Sequence, residues 1–138
     1  MVWLFLILQI PSPLYRKTMD HYKLVMPEAL NHYGFLFGGN LLKWIDEFAY
    51  ITANLDYPGN RFATVALDNV EFKHSIHNGE ILRFAVTQCR KGTTSASYNV
   101  RLYGSRDPAN RDKILFETCI TFVNLNEKGQ KEPIQEKK

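Results

Sequence analysis

Between residues 39 and 55 the apolar residues Leu41, Trp44, Ile45, Phe48, Ala49, Thr52 and Leu55 recur at intervals of three and four. From there on the chain alternates. The first pattern predicts a helix of about four turns, closed by Asp56, Pro58 and Gly59. The second predicts strands. Ala63, Val65 and Leu67 share one side of the first strand. Leu82, Phe84 and Val86 share one side of the next, reached through the turn HNGE. Ala96, Tyr98, Val100 and Leu102 repeat the pattern, as do Ile114, Phe116, Thr118, Ile120 and Phe122. A short apolar segment over residues 22–26, ended by Pro27, predicts one short strand ahead of the helix. Only the helix is available to cover the apolar face of the sheet, so the layout is α+β.

The 138 residues suffice for one core and not for two. Seventeen Lys and Arg against fourteen acids give a net charge of +3, and the cations are scattered. Without a basic stripe, no nucleic-acid partner is expected. The small surplus suits a phosphate-bearing small ligand. Cys89 and Cys119 each fall in a predicted strand, with neither a disulfide framework nor zinc-ligand spacing. Buried thiols without a bridge point to a reducing, cytoplasmic home. The apolar run over residues 2–8 has no positively charged segment before it and no small-residue cleavage site after it. It is too short to cross a bilayer, so no membrane partner is expected. Met19 would suit a start. The expected division is an extension over residues 1–20, a folded domain over 21–125 and a charged, solvated tail over 126–138.

The stretch NHYGFLFGGNLLKWIDEFAY, residues 31–50, carries the chemistry. With Lys43 at the centre of the helix's polar face, Glu47 and Asn54 lie beside it, and Lys43 and Glu47 have the spacing of an i,i+4 pair. Asp46 instead shares its side with Leu42, Ala49 and Ala53, at the edge of the apolar stripe. A carboxylate there is poorly solvated unless it meets a partner or a cleft. The ordinary reading is a boundary salt bridge; the sharper one is a working acid. Two glycines ahead of a helix are more often plain helix punctuation than an anion site. His74 and His77 have an H-x-x-H look but flank a turn without a carboxylate partner, so no metal is expected.

In its details this stretch resembles the signature of the hotdog-fold acyl-CoA thioesterases, in particular the YciA-type short-chain hydrolases and related cytosolic acyl-CoA hydrolases. The matching residues are Asn31, Gly34, Phe37-Gly38-Gly39 and, seven beyond the second glycine of the pair, Asp46. Further along, ATVALDNVEF is similar to that family's second strand, HNGEIL to its glycine-acid turn, and RKGTTSASYNV to its G-x-T-S strand start. The resemblance covers residues 22–124. Ser75 stands where the family often has proline, and Phe35 and Leu36 are bulky for the side of an acyl tunnel. Chain-length preference stays open.

The resemblance implies a hotdog fold, one long helix wrapped by an antiparallel sheet, hydrolysing acyl-CoA to a free acid and coenzyme A without cofactor or metal. It implies a site between subunits, hence a homo-oligomer, at least a dimer and by family habit a hexamer as a trimer of dimers. Asp46 would be general base or nucleophile, and residue spacing does not separate the two. Gly39, with Gly38 beside it, would present backbone amides to the thioester oxygen at a helix N-terminus. Asn31 would orient the carbonyl or the water. Thr64, Gly92, Thr94 and Ser95 would lie against the substrate. Arg90 and Lys91 would meet the phosphates of coenzyme A, against the alternative of a solvated turn. Two rivals remain: a non-catalytic acyl-CoA sensor, which would not need Asp46, and a hotdog dehydratase, which would want a histidine that the helix lacks.

Overall fold

The strongest alternation becomes the middle of the sheet. In the computed structural model, which describes residues 17–136, strands β1 (Thr18–Leu24), β2 (Phe62–Asp68), β3 (Ile81–Lys91), β4 (Ser95–Tyr103) and β5 (Ile114–Asn124) form one antiparallel sheet. Its order is β1-β3-β4-β5-β2, so β1 and β2 are the edges. Leu82, Phe84 and Val86 of β3, Tyr98, Val100 and Leu102 of β4, and Phe116, Ile120 and Phe122 of β5 are buried on one face. Helix α1 (Gly38–Asp56) lies across that face. The antiparallel α+β layout expected from the periodicities is present.

The helix departs from its expected stripe at one end. Leu41, Ile45, Ala49 and Ala53 are buried, while Leu55 is 63% exposed. The buried side follows the i,i+4 row, which rotates by about 40° per step and so runs obliquely across the strands. Leu55 lies off that row. The helix stops at Tyr57, whose amide donates to the Ala53 carbonyl, and Gly59 at φ +88° turns the chain back. The fully buried Tyr98 donates its hydroxyl to Asp56 Oδ2 at 2.8 Å, tying the last helical turn to β4. Burial, reinforced by that carboxylate, pushes the Tyr98 hydroxyl far above its ordinary pKa, which keeps it a donor.

Strand β2 is not the plain alternating strand that Ala63, Val65 and Leu67 suggested. Its register against β5 slips between Thr64 and Ala66: Thr64 pairs with Phe122 and Ala66 with Thr121. Val65 is the extra residue of a bulge, 54% exposed. Because Phe122 and Ile120 face the helix, the slip puts Thr64 and Leu67 on the helix side of the sheet.

The two ends also differ from expectation. Strand β1 begins at Thr18, so it takes in the last three residues of the segment expected to be linker. The apolar run at residues 2–8 lies outside the described residues. The C-terminal segment is packed rather than solvated. After a turn at Gly129, φ +77°, the Glu132 amide donates to the Asn124 carbonyl and the Ile134 amide to the Thr93 carbonyl, each at 2.9 Å. Ile134 is 8% exposed and belongs to the core. Composition missed this because one apolar residue, held by backbone bonds, is enough to dock a polar strap. Ile134→Ala should therefore cost about 2 kcal/mol, read as a lowered urea midpoint. An unchanged midpoint would contradict the docking.

Candidate active site

Asn31 follows a 3-10 turn at Pro27–Ala29. Its side-chain oxygen accepts the amides of Tyr33 at 2.9 Å and Phe35 at 3.1 Å. Its own amide donates to the Phe35 carbonyl at 2.6 Å. Gly34, at φ +86°, makes this tight loop possible. With Oδ1 committed to the loop, Nδ2 is the part of Asn31 left to donate to a ligand. The chain then enters α1 through Gly38 and Gly39. Their amides belong to the first turn, where no preceding carbonyl is in range to accept them. A Cβ on Gly38 would stand 3.2 Å from the Phe72 ring, and one on Gly39 3.0 Å from the Phe37 ring. Asn31, Phe35, Leu36, Gly38 and Phe72 border a cleft of about 330 Å³.

Asp46 lies two turns further along α1 and is half-buried, as its helix phase implied. Its partner comes from the bulged strand: Thr64 Oγ1 donates to Asp46 Oδ1 at 2.5 Å. One carboxylate oxygen is thus fixed, and Oδ2 is left to take a proton. Gly38 and Asp46 are eight residues apart on one helix, an axial rise of about 12 Å. A carbonyl held at the glycine amides is therefore beyond reach of the same chain's Asp46 through a single water.

The third group sits at the turn between β3 and β4. Arg90 Nη2 donates to Ser97 Oγ at 3.5 Å. Lys91 Nζ is 3.1 Å from the Glu136 carboxylate and 5.8 Å from the centre of the Tyr57 ring. Gly92 donates its amide to the Ser95 carbonyl, and the Thr94 carbonyl accepts the Asn124 amide, both at 2.8 Å. Arg90 and Lys91 border a hollow of about 390 Å³ with Lys17, Asp56, Tyr57 and Gln88. Ser95 pairs with Val123 of β5, which pairs with Ala63 beside Thr64. That leaves it about 10 Å from Thr64, two strand spacings away.

One chain therefore brings Asp46 to Thr64 and Asn31 to Gly38 and Gly39. It holds the set from Arg90 to Ser95 apart from both. Sequence reasoning missed Lys17 and Tyr57 on the wall of the hollow and Glu136 beside Lys91, and no periodicity or motif singles them out. His74 is exposed, and His77 packs edge-on against Phe35 with ring centres 5.0 Å apart. Among the described residues no cluster of His, Cys, Asp or Glu could hold a metal ion, and no helix is long and apolar enough to cross a membrane. The sulfurs of Cys89 and Cys119 stand 3.5 Å apart without a disulfide, half-buried rather than buried. Burial, with the neighbouring Cys89, pushes the Cys119 thiol up to about 11.

A helix packed across one face of a five-stranded antiparallel sheet in the order β1-β3-β4-β5-β2 defines a class of fold, and known proteins share it. A solved acyl-CoA hydrolase from Staphylococcus aureus, in complex with butyryl coenzyme A and coenzyme A, superposes with a TM-score of 0.75 at 29% identity, over 86% of this chain and 72% of that one. A hexameric acyl-CoA thioesterase in its apo form gives 0.76 at 30% identity, over 89% of this chain and 78% of that one. The fold is the hotdog fold. An acyl-CoA thioester hydrolase of Buchnera aphidicola, itself uncharacterized, is 28% identical over 110 residues, 78% of this chain and 81% of its own. The family model of the thioesterase superfamily matches residues 33–108, more than half of the chain. The chain belongs to the thioesterase superfamily.

The Staphylococcus aureus enzyme has also been solved with alanine replacing an aspartate, a threonine and an asparagine singly. There the asparagine precedes the aspartate by 15 residues, the interval between Asn31 and Asp46. The threonine follows the aspartate by 17 residues, against 18 from Asp46 to Thr64.

Proposed function

We propose that this chain hydrolyses acyl-CoA thioesters as a homo-oligomer, with Asp46 and Thr64 of one subunit facing Asn31, Gly38 and Gly39 of another. The observation that carries the reading is Asp46: a half-buried carboxylate on the helix of a thioesterase fold, with one oxygen fixed by Thr64 and the other available. The intervals shared with the residues replaced in the Staphylococcus aureus enzyme support the choice of residues. The hexameric relative supports assembly.

In the reaction, Asp46 Oδ2 takes a proton from water as the water oxygen bonds to the thioester carbon. The negative charge that develops on the carbonyl oxygen meets the amides of Gly38 and Gly39 and the Nδ2 of Asn31. Collapse of the adduct breaks the carbon–sulfur bond, and the leaving sulfur recovers the proton from Asp46. The products are a carboxylic acid and coenzyme A. In the alternative route Asp46 attacks the carbonyl itself, forming a mixed anhydride that water then cleaves. No step calls for a cofactor or metal. A chain with two cysteines and no disulfide framework in its sequence suits a reducing cytoplasm. The acyl-CoA sensor and the dehydratase have less support: the first has no use for the Asp46–Thr64 pair, and α1 holds no histidine.

Release of thiol from a panel of acyl-CoAs tests the reading and reports chain length at once. No release from any member would refute it. Asn31→Asp keeps the oxygen that caps the loop and removes the Nδ2 donor, so turnover should fall about 10²-fold while KM stays near its original value. A raised KM with turnover intact would place Asn31 in binding instead.

A further inference from the structure

The hollow beside β3 contains a contact that thioester chemistry does not use. Its cations are Lys17, Arg90 and Lys91. Asp56, the acid on its wall, is engaged by the Tyr98 hydroxyl. A second carboxylate reaches Lys91 from outside the expected domain, that of Glu136 on the C-terminal strap. The strap does not place it loosely. Ile134 is buried in the core, and the backbone amide and carbonyl of Gln135 are both held by the Asn60 side chain at 2.8 Å. Glu136 is the next residue. The tether holds its carboxylate near Lys91 at high effective concentration.

We propose that Glu136 is a specificity-determining counter-ion: a tethered carboxylate that occupies Lys91 until a phosphate of the substrate's carrier displaces it. This rests on the reading that Arg90 and Lys91 receive the phosphates of coenzyme A. The selectivity follows from charge. A monocarboxylate, the acid product included, gains nothing by exchanging with Glu136. A phosphate brings more charge and more acceptor oxygens to the same cations and wins the exchange. The pair is open to water, with side-chain exposures of 32% for Lys91 and 61% for Glu136. Displacement is therefore easy, and its cost is a small factor in affinity.

The test is a titration of the full chain with coenzyme A, and with pantetheine as the phosphate-free control. Glu136→Gln should tighten the Kd for coenzyme A by about 2- to 5-fold, with the gain shrinking as salt is raised. Pantetheine affinity and kcat at saturating acyl-CoA should not move. In a Lys91→Met background the same substitution should have no effect. An unchanged or weakened Kd, an equal shift for pantetheine, or a gain that survives Lys91→Met would each overturn the proposal. Acyl-CoA hydrolysis measured on the same samples separates the two ideas. Turnover without the Glu136 effect removes the counter-ion and leaves the thioesterase. The Glu136 effect without turnover does the reverse.

Discussion

Asp46→Ala should lower turnover by about 10²- to 10⁴-fold while the chain stays folded and assembled. The magnitude is that of a lost general base. The fold survives because Asp46 is half-buried and its one recorded partner is the hydroxyl of an edge strand. Asp46→Asn is the closer control: it can still accept from Thr64, but it cannot take a proton from water. Glu47→Ala, one residue along on the exposed side of the helix, should leave the rate near its original value. Equal losses from Asp46 and Glu47 would remove the distinction that helix phase draws between them. A single turnover in ¹⁸O-labelled water then separates the routes. Label found in the Asp46 carboxyl group would show an anhydride opened by water at Asp46, whereas a general base sends all of it to the product acid.

Mixing two inactive proteins should restore activity. Asp46→Ala chains lack the base, and Asn31→Asp chains lack the donor. If each site takes these residues from different subunits, a mixed pair contains one intact site and one doubly damaged one. Random equimolar exchange then recovers roughly one quarter of the wild-type sites. The case for sharing is geometric, because the axial rise of about 12 Å between Gly38 and Asp46 is too long for one water to bridge. The surface agrees with it. Phe37, Phe72 and Val70 are exposed around the cleft and past the end of β2, a concentration of apolar side chains that a partner would cover. Failure of mixing under conditions that exchange subunits, or a fully active monomer by light scattering, would refute the shared site.

What the sequence disclosed depended on whether a regular repeat carried the information. The helix and the three central strands were legible because Leu41 to Ala53 and Leu82 to Phe122 obey fixed periods and are buried accordingly. Asp46 was legible for the same reason, since its phase puts it at the boundary of the stripe. Thr64 could not be aimed by such reasoning. Alternation assigns it to the side opposite Leu67, and only the bulge at Val65 brings both to the helix side. The division of Asn31 into a committed oxygen and an available amide arises from the backbone amides of Tyr33 and Phe35, which no side-chain pattern records. The strap was illegible because its docking rests on backbone hydrogen bonds and one isoleucine amid charge. The separation of Arg90 and Lys91 from Asp46 and Thr64 is a matter of sheet topology, which spacing along the chain does not carry.

The bulge leaves an unusual freedom to any descendant of this chain. Val65 makes no ladder pair and points to solvent, so almost any side chain should be accepted there. Even its loss would leave Thr64 opposite Phe122, Ala66 opposite Thr121 and Leu67 opposite Ile120 as an unbroken ladder, with Thr64 and Leu67 still on the helix side. What heredity must preserve at this point is the run of paired residues and not the one that stands outside it. A survey of natural variants should find residue 65 among the most changeable in the strand, present in some and missing in others, with the pairs on either side kept.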